Sequence, residues 1–220
     1  MTDTLDLATL DPQEAAGALS RWLDAAADGA GVELAGCDPH APLLAPLLKA
    51  HPGRVAWFPL FPPVGKVLLL RLPPNQGIGG LMGGDHKRCD ALFADMENAA
   101  HAGDASRATG MFQRFDTGMR HHFTMEEKGF FPLFERATGM TQGPTAVMRM
   151  EHRQMLGLLE RMAESVRRGD MAELANTGGT LLFLMQQHNA KEEQMLYPMG
   201  DMHLARDRAS VLGSMAECAL

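Results

Sequence analysis

Cysteine is scarce in this chain, long hydrophobic runs are missing, and basic residues never cluster. The three cysteines, Cys37, Cys89 and Cys218, are odd in number and widely spaced, with no Cys-x-x-Cys pair. That argues against a disulfide framework and fits free thiols in a reducing compartment. The apolar run over residues 67–70 is far too short to span a bilayer. The opening MTDTLDLATLDPQE is acidic and lacks the apolar segment of a signal peptide, so the expected address is the cytoplasm. Net charge is -7 without a Lys/Arg stripe, which speaks against nucleic acid or an anionic membrane as partner. What remains is ordinary globular composition: 220 residues, 45% of them hydrophobic, enough for two small domains or one large one.

Residues 1–74 alternate between strand and helix signals. Short strands are expected at Leu5-Asp6-Leu7 and over residues 32–35. A helix is expected from Pro12, with Asp11 as N-cap and Leu19, Trp22 and Leu23 on one face. A second helix is expected over residues 41–50. The apolar runs 55–60 and 64–72, parted by Pro62-Pro63, read as a hairpin. The order β-α-β-α-β-β predicts a small α+β domain with helices on one sheet face. Residues 75–78 follow as a linker, residues 79–205 as a second domain, and residues 206–220 as a C-terminal tail.

Beyond the linker the period becomes 3.6, and the chain repeats itself at an offset of 66 residues. His86, His122 and Glu126 recur as His152, His188 and Glu192. Glu127 matches Glu193, Pro132 matches Pro198, Gly103-Asp104 matches Gly169-Asp170, and Met82 and Met119 match Met148 and Met185. Such agreement marks a duplicated supersecondary unit. Breaks at residues 101–104, 137–143 and 169–170 give four helices with short connections, hence an all-α up-down-up-down four-helix bundle. Pro132 and Pro198 are expected to end or kink the second and fourth helices. Gly77, Gly79, Gly80, Gly83 and Gly84 precede His86. Each interior Gly costs about 1 kcal/mol relative to Ala, so the first bundle helix is expected to be frayed or mobile up to His86.

The four His and two Glu lie on the inward stripe among Met, Leu and Phe. A buried carboxylate without a partner costs several kcal/mol or neutralises, so this grouping needs a common explanation. His-x3-Glu sets both side chains on one face, about 6 Å apart in rise, within reach of one centre. Imidazole with carboxylate suits iron, zinc or manganese. Six ligands on a pseudo-twofold repeat favour two metals, with Glu126 and Glu192 bridging and a coordination position left open. Glu127 and Glu193 point about 100° away from their neighbours, toward solvent or the back of a ligand. His121 is expected at a solvated helix edge, and Cys89 as core packing on the His86 stripe.

The segments HFTMEEKGFFP (His122 to Pro132) and HNAKEEQMLYP (His188 to Pro198), with Asp85-His86 and Glu151-His152, resemble the hemerythrin-like HHE cation-binding family. The resemblance implies a four-helix bundle holding two iron ions, an oxo- or hydroxo-bridged non-haem centre that meets dioxygen, nitric oxide or peroxide. Oxygen-carrying members have a second His where this chain has Leu156, and close the fourth helix with His-x4-Asp where it has His188-x3-Glu192. The four-His, two-Glu pattern is instead similar to bacterial di-iron proteins that repair iron centres under nitrosative or oxidative stress. Those carry a Cys-Cys motif that this chain lacks. Residues 4–72 resemble a small family related to the TusA-type sulfur carriers. The carriers' Cys-Pro is here Asp11-Pro12, which excludes persulfide chemistry there, and Cys37-Asp38-Pro39 reads as a turn at the second helix.

Three functions fit these readings. The first is binding or sensing of nitric oxide or dioxygen, extending to donation of iron to damaged centres. The second is a di-iron oxidase, peroxidase or nitric oxide reductase, ranked lower because no further acid-base pair is visible. The third is storage or buffering of metal, with the first domain engaging a protein partner.

Overall fold

A computed structural model describes residues 3–36, 43–61 and 66–218. Cys37-Asp38-Pro39 and the turn Pro62-Pro63 lie outside the described residues. The first part of the chain follows the expected order: β1 (Asp3–Asp6), α1 (Pro12–Ala25), β2 (Gly31–Ala35), α2 (Leu44–Ala50), β3 (Val55–Phe61) and β4 (Lys66–Arg71). The start of α1 is set by a capping box. The Asp11 carboxylate accepts from the N–H groups of Gln13 and Glu14, Glu14 reaches back to the N–H of Asp11, and Pro12 opens the helix. The strands form one sheet in the order β1-β2-β4-β3, parallel between β1 and β2 and antiparallel elsewhere.

Helices α1 and α2 cover one sheet face, where Leu19, Leu23, Leu44 and Leu48 pack on Val32, Leu34, Val67 and Leu69. The other face carries Ala56 and Phe58, with Leu68 and Leu70, and packs on Ile78 and Leu81 of the following helix. A sheet buried on both faces requires apolar residues at every position, which is why β4 reads Val-Leu-Leu-Leu without alternation. Residues 75–78 are therefore not the expected linker throughout. Gln76 closes a turn onto Pro73, Gly77 is an N-cap, and Ile78 is already helical and buried.

The bundle is built from α3 (Ile78–His101), α4 (Ala105–Thr124) with its continuation α5 (Phe131–Thr138), α6 (Pro144–Arg168), and α7 (Met171–Lys191) with its continuation α8 (Tyr197–His203). The two inter-helix corners inside the repeats are alike. Gly103 and Gly169 take left-handed φ of 74° and 70°. Asp104 and Asp170 then cap the next helix by accepting from the N–H of Arg107 and Glu173. The residues expected on the inward stripes are buried, including Met82, Phe93, Met119, Met148, Met155 and Met185.

Pro132 and Pro198 do not end their helices. Each follows a π-helical turn, Met125–Phe130 and Glu192–Leu196, in which the N–H of Phe131 bonds the carbonyl of Glu126 and that of Tyr197 bonds Glu192. The widened turn takes up the register change that a residue without N–H imposes, and the helix resumes. Nor does the glycine run fray α3, which is helical from Ile78. Asp201 of α8 accepts from the N–H of Ile78 at 2.7 Å and of Gly79 at 3.2 Å. A tertiary cap thus supplies what propensity withholds.

The expected tail is corrected as well. Residues 208–218 form α9 (Arg208–Cys218), with Val211, Leu212, Met215 and Ala216 buried. It lies between sheet and bundle: Trp57 Nε1 donates to the carbonyl of Ala216 at 2.9 Å. On its other side it approaches the first π turn so closely that a Cβ on Gly129 would stand 2.6 Å from Met215 Cα.

Candidate metal centre

The six residues expected as ligands come from six places and meet at one level of the bundle. His86 is on α3, His122 on α4, His152 on α6 and His188 on α7, while Glu126 and Glu192 stand in the two π turns. None is more than 4% exposed. His152 Nε2 is 3.1 Å from Glu126 Oε2, and His188 Nε2 is 3.1 Å from Glu192 Oε1. His86 Nε2 is 3.3 Å from Glu192 Oε2, and His122 Nε2 is 3.6 Å from Glu126 Oε2. The donor atoms form two overlapping groups, Glu126-His152-His188-Glu192 and His86-His122-Glu192, each within 4.8 Å. Apolar clusters close the level on both sides, one around Phe93, Phe115 and Met162 and one around Phe130, Phe131 and Phe134.

The outer nitrogen of every one of these imidazoles rests on a carboxylate. His122 Nδ1 lies 2.9 Å from Asp85, His188 Nδ1 2.9 Å from Glu151, His152 Nδ1 2.8 Å from Glu127, and His86 Nδ1 2.7 Å from Glu193. An ionised carboxylate only accepts, so Nδ1 carries a proton, and the neutral ring that a metal would bind offers Nε2 inward. Glu127 and Glu193, expected at the solvent or behind a ligand, stand behind His152 and His86, and they do so across the repeat. Asp85 and Glu151 act within it. The sequence signal was present: each of the four adjoins a predicted ligand.

His122 Nε2, Glu126 Oε2 and Glu192 Oε1 are buried without a hydrogen-bond partner. His152 Nε2 and His188 Nε2 face each other at 3.2 Å. Buried polar atoms are nearly always satisfied, and a cation between them satisfies all of these at once. The titration behaviour agrees. Burial pushes the His86 imidazolium down, but Glu192 and Glu193 outweigh it and raise its pKa to about 9. Burial acts likewise on His152, and Glu126 and Glu127 outweigh it, again to about 9. Burial would raise Glu192, yet its bonds to His188 and His86 hold it well below the usual carboxylate range. The cavity attracts positive charge, as the residues of a divalent or trivalent metal site must.

A model of the hemerythrin HHE cation binding domain matches residues 80–200. The chain belongs to that family. No protein of curated function and no solved structure matches it. Among the described residues, no helix of this hemerythrin-like chain is long and apolar enough to cross a membrane.

Two residues near the centre depart from expectation. His121 is not solvated but buried, with its ring 4.5 Å from that of Trp57 and 5.7 Å from that of Phe58. Burial lowers its pKa to about 3, so it is a neutral aromatic contact between bundle and sheet. Tyr197 was overlooked: its hydroxyl lies 2.9 Å from Glu126 Oε1 and 3.0 Å from Glu192 Oε2. The clue lay in the repeat itself, where Phe131 becomes Tyr197. Cys89 is buried in the core as expected, and burial and Asp85 push its thiol up, away from thiolate. His51, His101 and His203 lie at helix ends away from the centre, and His40 falls outside the described residues.

Proposed function

We propose that this hemerythrin-like chain holds a non-haem di-iron centre and uses it to bind or sense a diatomic gas, nitric oxide or dioxygen. His86 and His122 hold one ion, His152 and His188 the other, and Glu126 and Glu192 lie between them. The observation that carries this reading is the convergence of four carboxylate-held imidazoles on two buried carboxylates, with His122 Nε2, Glu126 Oε2 and Glu192 Oε1 left without a partner. Imidazole and carboxylate together suit iron. When bound, such a centre supplies redox-active metal with a coordination position for a small ligand.

The chain's own residues do the rest. Asp85, Glu127, Glu151 and Glu193 fix the tautomer and orientation of each imidazole and raise its basicity. Full burial among Phe and Met side chains restricts entry to very small molecules and keeps the donors dry. In this reading the protein acts in the cytoplasm, in a nitrosative or oxidative stress response, with repair of iron centres as a further role.

Metal analysis with optical spectra of aerobically isolated protein tests the proposal. Two irons per chain and a ferric absorption that changes on adding nitric oxide are expected. A colourless zinc protein would overturn it in favour of metal buffering, and catalytic turnover of peroxide or nitric oxide would make the chain an enzyme instead.

A further inference from the structure

Tyr197 is the only tyrosine in the chain and is completely buried. It leaves the second π turn where its repeat counterpart, Phe131, leaves the first. Both rings lie against a ligand imidazole, Phe131 at 5.9 Å from His152 and Tyr197 at 5.7 Å from His86. The difference between the two positions is one hydroxyl. That oxygen is 2.9 Å from Glu126 Oε1, 3.0 Å from Glu192 Oε2 and 3.3 Å from His86 Nε2. A phenol has one proton, so it donates to only one of the two carboxylates. Tyr197 Oη thus joins the same buried cluster as the six expected ligands.

The two halves are also unequal in donors. Glu192 turns Oε1 to His188 and Oε2 to His86. Glu126 turns only Oε2 inward to His152 and His122, and its Oε1 rests on Tyr197. The group that holds His152 and His188 therefore has four members, and the group that holds His86 and His122 has three. Tyr197 Oη is the oxygen that stands beside the poorer group.

We propose that Tyr197 is a metal ligand, its phenolic oxygen completing the His86–His122 half-site, which Glu192 joins and Glu126 reaches only at 3.6 Å from His122. One ion then has a hard anionic oxygen that the other lacks, which favours the ferric state on that side. The phenolic proton passes to water as the ion binds. The assignment rests on the two-ion reading above and adds an inequality that the ligand pattern alone does not contain.

The test uses full-length, iron-loaded, air-oxidised protein and its Tyr197→Phe variant. A visible phenolate-to-iron charge-transfer band is expected, with tyrosine ring modes enhanced in resonance Raman on excitation within it. With one tyrosine in the chain, the signal has a single source. Both signatures should vanish in Tyr197→Phe, which should still fold, because Phe already fills the matching place at position 131. Full iron content without these signatures in the unmodified protein would overturn the proposal and leave Tyr197 as a hydrogen-bond donor to Glu126. Absence of iron binding at the six residues would be seen first in the metal analysis. It would remove the two-ion reading and this assignment with it.

Discussion

In the first half of the bundle His122 is held by Asp85, which is held in turn by Arg88 at 2.7 Å, stacked over Phe58. In the second half His188 is held by Glu151, and the cation behind it is Lys191. These cations are not repeat partners: position 88 corresponds to Gln154 and position 191 to Met125. The six expected ligands and the carboxylates behind them match across the repeat, while the cations behind the carboxylates do not. The reason is what lies outside. The sheet and α9 cover the first half, so its carboxylate needs a buried guanidinium with many donors. The second half faces water, where a half-exposed ammonium suffices. The same contrast explains His121 against exposed Gln187, and Gly129 under α9 against Met195, which is 46% exposed.

The largest expected effect probes the centre itself. Glu192 belongs to both donor groups and Glu126 to one. Glu192→Ala should therefore release both ions, whereas Glu126→Ala should chiefly empty the His152–His188 side. Metal content after gel filtration measures this, and equal loss from both variants would break the asymmetry.

Next comes the outer shell. Asp85→Ala strips a buried charge from the largely covered Arg88 and should destabilise the fold by about 3–5 kcal/mol. Glu151→Ala frees a half-exposed lysine and should cost about 1 kcal/mol. Urea unfolding of the metal-free proteins separates the two, and similar midpoints would contradict the covered-versus-open distinction.

A third comparison concerns α9. Gly129→Ala drives a methyl against the backbone of Met215 and should cost about 1–3 kcal/mol. Met195→Ala, at the matching position in water, should stay within about 0.5 kcal/mol. Thermal melts would show this, and a silent Gly129→Ala would mean that α9 yields easily.

The smallest effect concerns pH. The pKa of His121 is lowered by burial, so the unfolded chain binds the extra proton. Its contribution is fully present above about pH 6.5 and lost as pH falls, about 1 kcal/mol between pH 7.5 and 5.5. His121→Phe, which has no proton to gain, should flatten that part of the acid response relative to the unmodified protein. Asp85, Arg88 and His122 also face this ring. An unchanged slope would show that His121 does not carry the acid response.

Much of this protein was legible without coordinates, because local periodicity and repetition carried it. A 3.6 period with matched Gly-Asp corners dictates four helices, and apolar stripes carrying His and Glu dictate where those residues point. The capping box at Asp11 and the β-α-β-α-β-β order were equally local. What tertiary structure alone decided depends on contacts between segments far apart in the chain. Asp201 caps a helix that starts more than a hundred residues earlier, overriding a glycine-rich sequence. The π turns let helices run past Pro132 and Pro198. The expected tail becomes a helix because Trp57, Gly53 and Gly129 offer it a bed. Its own sequence has no strong amphipathic pattern to announce this, since it is covered on opposite sides. His121 is buried for the same reason: the sheet arrives from outside the bundle, and no period within the bundle's own helices records it. Period and repetition specify which residues face inward. Which inward residues become unequal is decided by what packs against the outside.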